Sequence, residues 1–225
     1  MKIAIIHDWL TGMRGGEKCL EVLCKLYPSA DIFTLLHIPG KVSPVIESHR
    51  IHTSFIQNLP FAESKYRYYL PLMPSAIEAF DLKEYDLILS SSHCVAKSVK
   101  PGPSSMHICY CHTPMRYIWD QFDQYFGKGK SSWFAATAIK FIRGWLQRWD
   151  VKTSRRVNHF IANSRHVQKR IKKYYNQEAA IIHPPVDTGL FTPDTNEKKE
   201  NYFLIVSAFA PYKRLDLAVD AFNQL

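Results

Sequence analysis

Residues 2–27 read KIAIIHDWLTGMRGGEKCLEVLCKLY. The apolar run at the start of this stretch is typical of a buried strand, and Gly12, Gly15 and Gly16 follow it in a loop. From residue 17 to residue 27 apolar side chains return every three or four positions, which predicts a helix. A strand, a glycine-containing loop and a helix in this order indicate the first unit of an α/β fold.

The same alternation continues along the chain. Apolar runs typical of strands occur at 31–36, 86–91, 107–111, 159–163 and 179–182. A helix is predicted after Ser164, which suits an N-cap. Its inward positions are Val167, Ile171 and Tyr174. Strands rich in Ile, Leu and Val that alternate with helices predict an α/β fold with a doubly wound, Rossmann-like parallel sheet.

The domain organisation follows from a change in composition near the end of the chain. Residues 1–191 are predicted to form the first domain. The stretch TPDTNEKKEN (192–201) is polar and without periodicity, which predicts a linker. Residues 202–225 restart the pattern with an apolar run at 202–209 and a helix after it. One strand and one helix cannot bury their own faces, so we expect this to be the start of a second Rossmann-like domain that stops early.

The charge of the chain indicates the class of partner. Lysine and arginine number 29 against 20 acidic residues, a formal net charge of +9. This balance favours anionic partners such as phosphorylated small molecules, an anionic membrane surface or nucleic acid. No nucleic-acid reading motif is visible, so a nucleic-acid partner is disfavoured.

The cysteines and the apolar runs indicate the compartment. Five cysteines, an odd number, form no CxxC pair. No stretch approaches the ~18 apolar residues that a membrane span needs. We therefore expect free thiols and a cytoplasmic protein.

Polar motifs directly follow the predicted strands and should converge on one edge of the sheet. They are HDWLTGMRGG (7–16), SSSHC (90–94), CHTPMR (111–116), NSR (163–165) and HPPVD (183–187). In doubly wound folds the ligand lies at the carboxyl ends of the strands. This placement makes His112 a candidate to donate a hydrogen bond to a reacting sugar or phosphate, or to act as an acid. The alternative is a histidine that caps the next predicted helix, 115–125.

A metal site is disfavoured at His107, Cys109, Cys111 and His112, because alternate strand side chains climb along the strand rather than converge on a point. At Gly15 and Gly16 two interpretations stay open: an anion site at a helix N-terminus, or a plain turn.

Three basic segments have both a functional and a structural interpretation. Arg165 stands at a strand end where it could meet a ligand, whereas its helix reads as a solvated basic face. Lys213 and Arg214 open the last predicted helix and suit a diphosphate, or are exposed charges.

Segment 131–156 is rich in tryptophan. Its apolar stripe is Phe134, Ala138, Phe141, Ile142, Trp145 and Trp149, and its off-stripe basic residues are Lys140, Arg143, Arg148 and Lys152. It could rest on an anionic membrane or pack on the sheet, and packing is favoured.

Taken together, five ordered motifs resemble the retaining glycosyltransferases of family 4, which have the GT-B architecture. The motifs are 7–23, 110–122, 160–175, 181–191 and 206–222. The branch that they resemble comprises mannosyl- and related sugar transferases of surface-polysaccharide assembly. The resemblance implies two Rossmann-like domains, of which the first receives mainly the acceptor and the second mainly the nucleotide-sugar. It implies no cofactor and no metal, with a nucleoside-diphosphate sugar as co-substrate.

The resemblance also implies roles for individual residues. His112 would contact the transferred sugar. Donor-binding residues would be Gly15, Gly16, Arg165, Lys213 and Arg214. Acceptor-binding residues would be Asp8, Trp9, Arg116 and Tyr117. Two departures matter: Ala208 stands where the family often has an arginine, and the family's Glu-x7-Glu pair would lie beyond Leu225. We therefore expect this polypeptide alone to be inactive.

The sequence thus predicts the first part of a retaining, metal-independent glycosyltransferase. It would move a hexose, with mannose as a candidate, to a lipid-linked or polysaccharide acceptor, with possible peripheral contact to the inner membrane through 131–156. Two alternatives stay open. One is a non-catalytic module that binds glycan or glycolipid, and the other is a different GT-B enzyme such as a sugar-nucleotide epimerase or an inverting transferase.

Overall fold

The computed structural model describes residues 1–120, 133–193, 200–207, 209 and 213–224, and for 133–140 it describes the backbone. Some predictions lie outside the described residues. They concern Ala208, residues 121–125 and 131–132, the side chains of 133–140 and most of the linker. The described chain forms two compact units, Met1–Pro185 and Val186–Leu225. The predicted domain boundaries at 191 and 201 stay a prediction.

A parallel sheet of seven strands organises the first unit, in the order β3-β2-β1-β4-β5-β6-β7. The strands are β1 (Ile3–His7), β2 (Asp31–Thr34), β3 (Ile51–Thr53), β4 (Leu87–Ser92), β5 (Met106–Cys111), β6 (His159–Ala162) and β7 (Ala179–Ile181). The order reverses beside β1, which pairs with both β2 and β4. This is the doubly wound topology, and it confirms the predicted fold class.

Helices connect the strands. The α-helices are α1 (Gly15–Leu26), α2 (Pro44–Glu47), α3 (Ala62–Lys65), α4 (Met73–Glu78), α5 (Trp133–Ser154), α6 (Arg165–Tyr175) and, in the second unit, α7 (Leu215–Phe222). Three short 3-10 helices lie at Phe55–Asn58, Tyr66–Leu72 and Ala96–Ser98. Within the described part of the chain, no helix is long and apolar enough to cross a membrane.

The sheet is apolar on both faces, because side chains of a strand alternate between them. Ile6 belongs to the core cluster on one face, together with Met115 and Leu146. Ile5 belongs to the cluster on the other face, where it packs with Leu20 of α1. Helices on both faces complete the three-layer architecture.

Strand β5 confirms the predicted alternation. His107, Cys109 and Cys111 are buried, whereas the residues between them are partly exposed. All five cysteines of the chain are free thiols and are buried. Nε2 of His107 lies 2.8 Å from the Ser90 hydroxyl, so this histidine is hydrogen-bonded within the sheet.

The packed face of α5 differs from the predicted stripe. Phe141 is 76% exposed and Trp145 is 41% exposed, whereas Leu146 is buried. Ile142 and Trp149 pack against the core beside Leu146. The packed face thus turns toward Leu146, because the helix also directs Asp150 and Arg143 into hydrogen bonds with residues 118–119. In α6, similarly, Tyr175 is buried and the predicted Tyr174 is half-buried.

The second unit contains α7 but lacks the predicted strand. Residues 202–207 and 209 adopt no strand, and their apolar side chains are exposed, from 51% at Ile205 to 98% at Phe209. A strand is stabilised by hydrogen bonds to a neighbouring strand, and none of the described residues of this unit supplies one. The strand prediction is therefore wrong for the described residues.

Candidate active site

The carboxyl ends of β1, β4 and β5 bring two histidines onto one serine. His7 ends β1 and lies in register with Ser91 of β4. The Ser91 hydroxyl lies 3.1 Å from Nδ1 of His7 and 2.9 Å from Nε2 of His112, which directly follows β5. The predicted convergence is therefore observed for the motifs at 7–16, 90–94 and 111–116, and Ser91 of the second connects the other two.

A buried glutamate continues this chain of contacts. Oε1 of Glu17, in the first turn of α1, lies 3.7 Å from Nε2 of His7. The other carboxylate oxygen accepts a hydrogen bond from the Arg14 backbone N–H at 3.0 Å. Burial raises the pKa of Glu17, but His7 and the backbone N–H groups outweigh burial and hold the pKa below its ordinary value. Glu17 is therefore a carboxylate aimed at His7.

The charge of Glu17 has a consequence for the hydrogen positions in this chain. A carboxylate beside Nε2 favours the His7 tautomer that carries its proton there. In that tautomer Nδ1 of His7 accepts the Ser91 hydroxyl proton, and the Ser91 oxygen accepts the proton on Nε2 of His112. This arrangement leaves Nδ1 of His112 as a hydrogen-bond acceptor for a ligand.

His112 itself is held neutral. Burial, followed by the neighbouring His7 and His93, lowers the pKa of His112 to about 3. A neutral imidazole is a hydrogen-bonding group rather than an acid near pH 7. Of the two predicted chemical roles, a pKa this low favours hydrogen bonding over donating a proton.

Asp8 anchors the loop that follows β4. Its fully buried carboxylate accepts four backbone hydrogen bonds of 2.6–2.9 Å from the N–H groups of residues 93–96. Nδ1 of His93 lies 3.1 Å from the same carboxylate. Burial raises the pKa of Asp8, but His93, His7 and the backbone N–H groups together keep it below its ordinary value. A charged Asp8 thus fixes the residues beneath His112.

Trp9 lies under the same loop rather than on the surface. It is 4% exposed, and its ring meets the His93 ring edge to face with a centroid separation of 4.6 Å. Neither Asp8 nor Trp9 offers much surface to an acceptor. Both lie where they support the position of His93.

The glycine loop reaches the same centre. A Cβ atom at Gly16 would lie 3.6 Å from Cε1 of His7 and 3.8 Å from Nε2 of His112, whereas a Cβ atom at Gly15 would meet nothing within 4 Å. The N-terminus of α1 therefore stands against both imidazoles. A Cβ atom at Gly16 would make ordinary van der Waals contact with both rings.

A cavity of about 690 Å³ opens on the other side of His112. It is lined by His112, Thr113, Arg116, Asp120, Asn163, Ser164, His166, Val167, Lys169, Arg170, Lys173 and Tyr174. Arg116 is exposed at this cavity, whereas Tyr117 packs against the core and Arg165 is exposed outside the lining. Of these three predicted residues, the structure brings Arg116 to the cavity.

A buried ion pair stabilises the segment that follows His112. Nζ of Lys97 lies 2.7 Å from Oδ1 of Asp150, and both side chains are almost fully buried. The other Asp150 oxygen accepts hydrogen bonds of 2.9 Å from Trp119 and Tyr175. This network joins α5, α6 and the chain that leaves His112. This network could not be predicted from the sequence, where Lys97 and Asp150 are only a lysine and an aspartate among apolar residues.

The two remaining predicted donor residues belong to the second unit. Arg214 precedes α7 with φ of 48°, and its guanidinium lies 2.8 Å from the Asp216 carboxylate. Lys213 is exposed next to it. No group of three or more His, Cys, Asp or Glu side chains could hold a metal ion within the described ranges.

The fold and this site define a Rossmann-like α/β domain with a polar, histidine-containing site at the carboxyl edge of its sheet. The chain belongs to Glycosyltransferase Family 4, whose family model matches residues 13–190. This finding confirms the resemblance at the level of the family. No curated protein matches the chain.

Two solved structures are among those similar to this chain. One is Anabaena Alr3699/HepE in complex with UDP, with 15% identity and a TM-score of 0.49, covering 87% of this chain and 47% of that one. Another is the lipopolysaccharide outer core galactosyltransferase WaaB, with 12% identity and a TM-score of 0.44, covering 88% of this chain and 50% of that one. The chain thus spans about half the length of these two proteins.

Proposed function

We propose that this chain is the acceptor-side half of a retaining, metal-independent glycosyltransferase. It moves a hexose, with mannose as the first candidate, from a nucleoside-diphosphate sugar to a lipid-linked or polysaccharide acceptor. Membership of Glycosyltransferase Family 4 supports the transfer reaction. The observation that carries the proposal is the neutral His112, held by Ser91 at the carboxyl edge of the sheet.

His112 accepts a hydrogen bond from a hydroxyl of the transferred sugar and orients its anomeric carbon for front-face attack. A rigid neutral acceptor contributes through positioning, because it holds the sugar without moving a proton. The leaving diphosphate acts as the base toward the acceptor hydroxyl. Asp8 and Trp9 are positioning residues, because they hold the loop beneath His112.

The donor phosphates lie at the N-terminus of α1, beside Gly15 and Gly16. Backbone N–H groups and the helix dipole stabilise anions at such a terminus. Lys213 and Arg214, in the second unit, are further candidate donor-binding cations, since cationic side chains bind phosphate groups. Arg165, at the start of α6, adds a further cation toward the donor.

Arg116 and Tyr117 lie on the acceptor side, and Arg116 lines the cavity beside His112. We also propose that the protein contacts the inner face of a membrane through α5. Phe141 and Trp145 are exposed on α5, and exposed aromatic side chains beside basic ones suit an anionic lipid surface. The protein then works at the cytoplasmic face.

The test is sugar transfer from a panel of nucleoside-diphosphate sugars, with this chain joined to its donor-binding half. His112→Ala should lower kcat at least about 100-fold, the order of magnitude of a lost transition-state hydrogen bond in a preorganised site. His159→Ala is the matched control, because His159 is an exposed histidine at the opposite end of the sheet. Equal activity of the two variants would contradict the role of His112.

A further inference from the structure

The cavity beside His112 is lined on one side by a single face of α6. The lining residues of this helix are at positions 166, 167, 169, 170, 173 and 174. Residues three or four positions apart lie on the same side of a helix, so Lys169 and Lys173 point to the cavity one turn apart. Both lysines are exposed.

The charge of this cavity is not balanced by the described residues. Asp120 is the one acidic side chain in its lining, and it is already ion-paired with Arg170 and hydrogen-bonded to Tyr174. Within the described part of the chain, neither Lys169 nor Lys173 forms an ion pair with a carboxylate. Two like charges one turn apart repel each other, and an anion between them removes that repulsion.

The neighbouring lysine on the same helix shows the contrast. Nζ of Lys172 lies 2.6 Å from the Glu178 carboxylate, and Lys172 is outside the cavity lining. The helix thus pairs the lysine on its outer face and presents the other two to the cavity. Asn163 and Ser164 add neutral hydrogen-bonding groups to the same wall.

The cavity and the glycine loop follow different strands of the sheet. Gly16 approaches His112 from the side of β1, whereas the lysines stand on the helix that follows β6. His112 follows β5, which lies between β1 and β6 in the sheet, and it borders both places. The lysines and the glycine loop therefore stand on different elements around His112.

We propose that this cavity binds a phosphate or diphosphate group of the acceptor, held by Lys169 and Lys173 beside His112. The inference rests on the proposed function in that it takes the ligand to be the acceptor. Phosphate fits because it carries up to about two negative charges and three acceptor oxygens, enough for two lysines at once. The acceptor is thus a phosphorylated sugar or a diphosphate-linked lipid, and the two sources share this chemistry.

The first test measures binding of inorganic diphosphate, of farnesyl diphosphate and of farnesol to this chain by calorimetry. Both diphosphates should bind and farnesol should not, and tighter binding of farnesyl diphosphate would assign the lipid as the source. Lys169→Ala and Lys173→Ala should each weaken diphosphate binding about fivefold or more, whereas Lys172→Ala should change it less than about twofold. Binding that responds equally to all three substitutions would overturn the inference, as would equally tight binding of glucuronate.

A second measurement separates this inference from the proposed function. In transfer assays the Lys169→Ala/Lys173→Ala variant should raise KM for a phosphorylated acceptor and leave KM for the nucleotide-sugar unchanged. An unchanged acceptor KM with normal turnover would overturn the inference and leave the transferase standing. Diphosphate binding at α6 in a protein that transfers no sugar would contradict the proposed function and would overturn the assignment of the ligand to an acceptor.

Discussion

The Ser91 hydroxyl lies 2.9 Å from Nε2 of His112, so a residue of β4 determines how the residue after β5 presents its ring. The same hydroxyl lies 3.1 Å from Nδ1 of His7. Since a hydroxyl has one proton, it donates to one histidine and accepts from the other. The tautomer of His112 is therefore coupled to His7 and, through His7, to Glu17.

Replacing Ser91 with alanine should weaken catalysis without unfolding the protein. The variant loses the group that orients His112, so kcat should fall about tenfold, close to the ~1.4 kcal/mol that one hydrogen bond contributes. The nitrogen chemical shifts of the His112 ring should report one dominant tautomer in the unaltered protein and a mixture of two tautomers in the variant. The measurement is steady-state kinetics together with ¹⁵N NMR of labelled histidine.

Ser90→Ala is the matched control for Ser91→Ala. Ser90 precedes it on the same strand and bonds His107 rather than His112. We expect this variant to keep its kcat within about twofold. A Ser91→Ala protein with unaltered His112 shifts would contradict the coupling.

Asp8→Asn should destabilise the first unit by about 3 kcal/mol or more. An amide has one acceptor oxygen and a donor group, so it cannot accept the four N–H hydrogen bonds that the carboxylate accepts. Urea unfolding measures the change. Asp81→Asn, at an exposed aspartate, should shift the free energy of unfolding by less than about 0.5 kcal/mol. Equal effects at the two positions would show that the Asp8 carboxylate is not a structural anchor.

The buried pair of Lys97 and Asp150 gives a second stability prediction. Lys97→Met leaves the Asp150 charge buried without its cation, and such a change costs about 3–5 kcal/mol. Adding Asp150→Leu to Lys97→Met should recover part of the loss, because no unpaired charge remains. A double-mutant cycle in urea measures the coupling, and additive effects would contradict a direct interaction.

Stability should fall on mild acidification because of the buried histidines. Burial lowers the pKa of His112 to about 3 and that of His107 to about 4, from an ordinary value of 6.5. Between these values the unfolded chain binds more protons than the folded one, so the free energy of unfolding decreases as pH falls from about 6.5. The urea midpoint should be lower at pH 5 than at pH 7.5, and His107→Gln should narrow the difference. An identical midpoint at both pH values would contradict the burial of neutral histidines.

The sheet was largely predictable because each long strand is an apolar run followed by a polar motif. Strand β3 was missed because it is three residues long and carries a histidine and a threonine. The predicted strand over 202–209 failed in the described residues for the opposite reason, since local apolar content cannot supply a neighbouring strand. Strand pairing is a tertiary property that a single run does not encode.

The site was predictable in its position and less so in its connections. The edge of the sheet and His112 followed from motif order. The contact of Asp8 with residues 93–96 joins positions 85–88 apart, and that of Lys97 with Asp150 spans 53 positions. Buried polar partners at such separations leave no periodic signal, so Ser91, Glu17 and Lys97 emerged from the structure.

The role of His112 in sugar transfer is tested most directly by the rate of the His112→Ala protein. The protein is joined to its donor-binding half, and the rate is measured at saturating nucleotide-sugar. We expect a kcat at least about 100-fold below that of the unaltered protein, with the kcat of His159→Ala unchanged. A His112→Ala protein that transfers sugar at the unaltered rate would contradict this role.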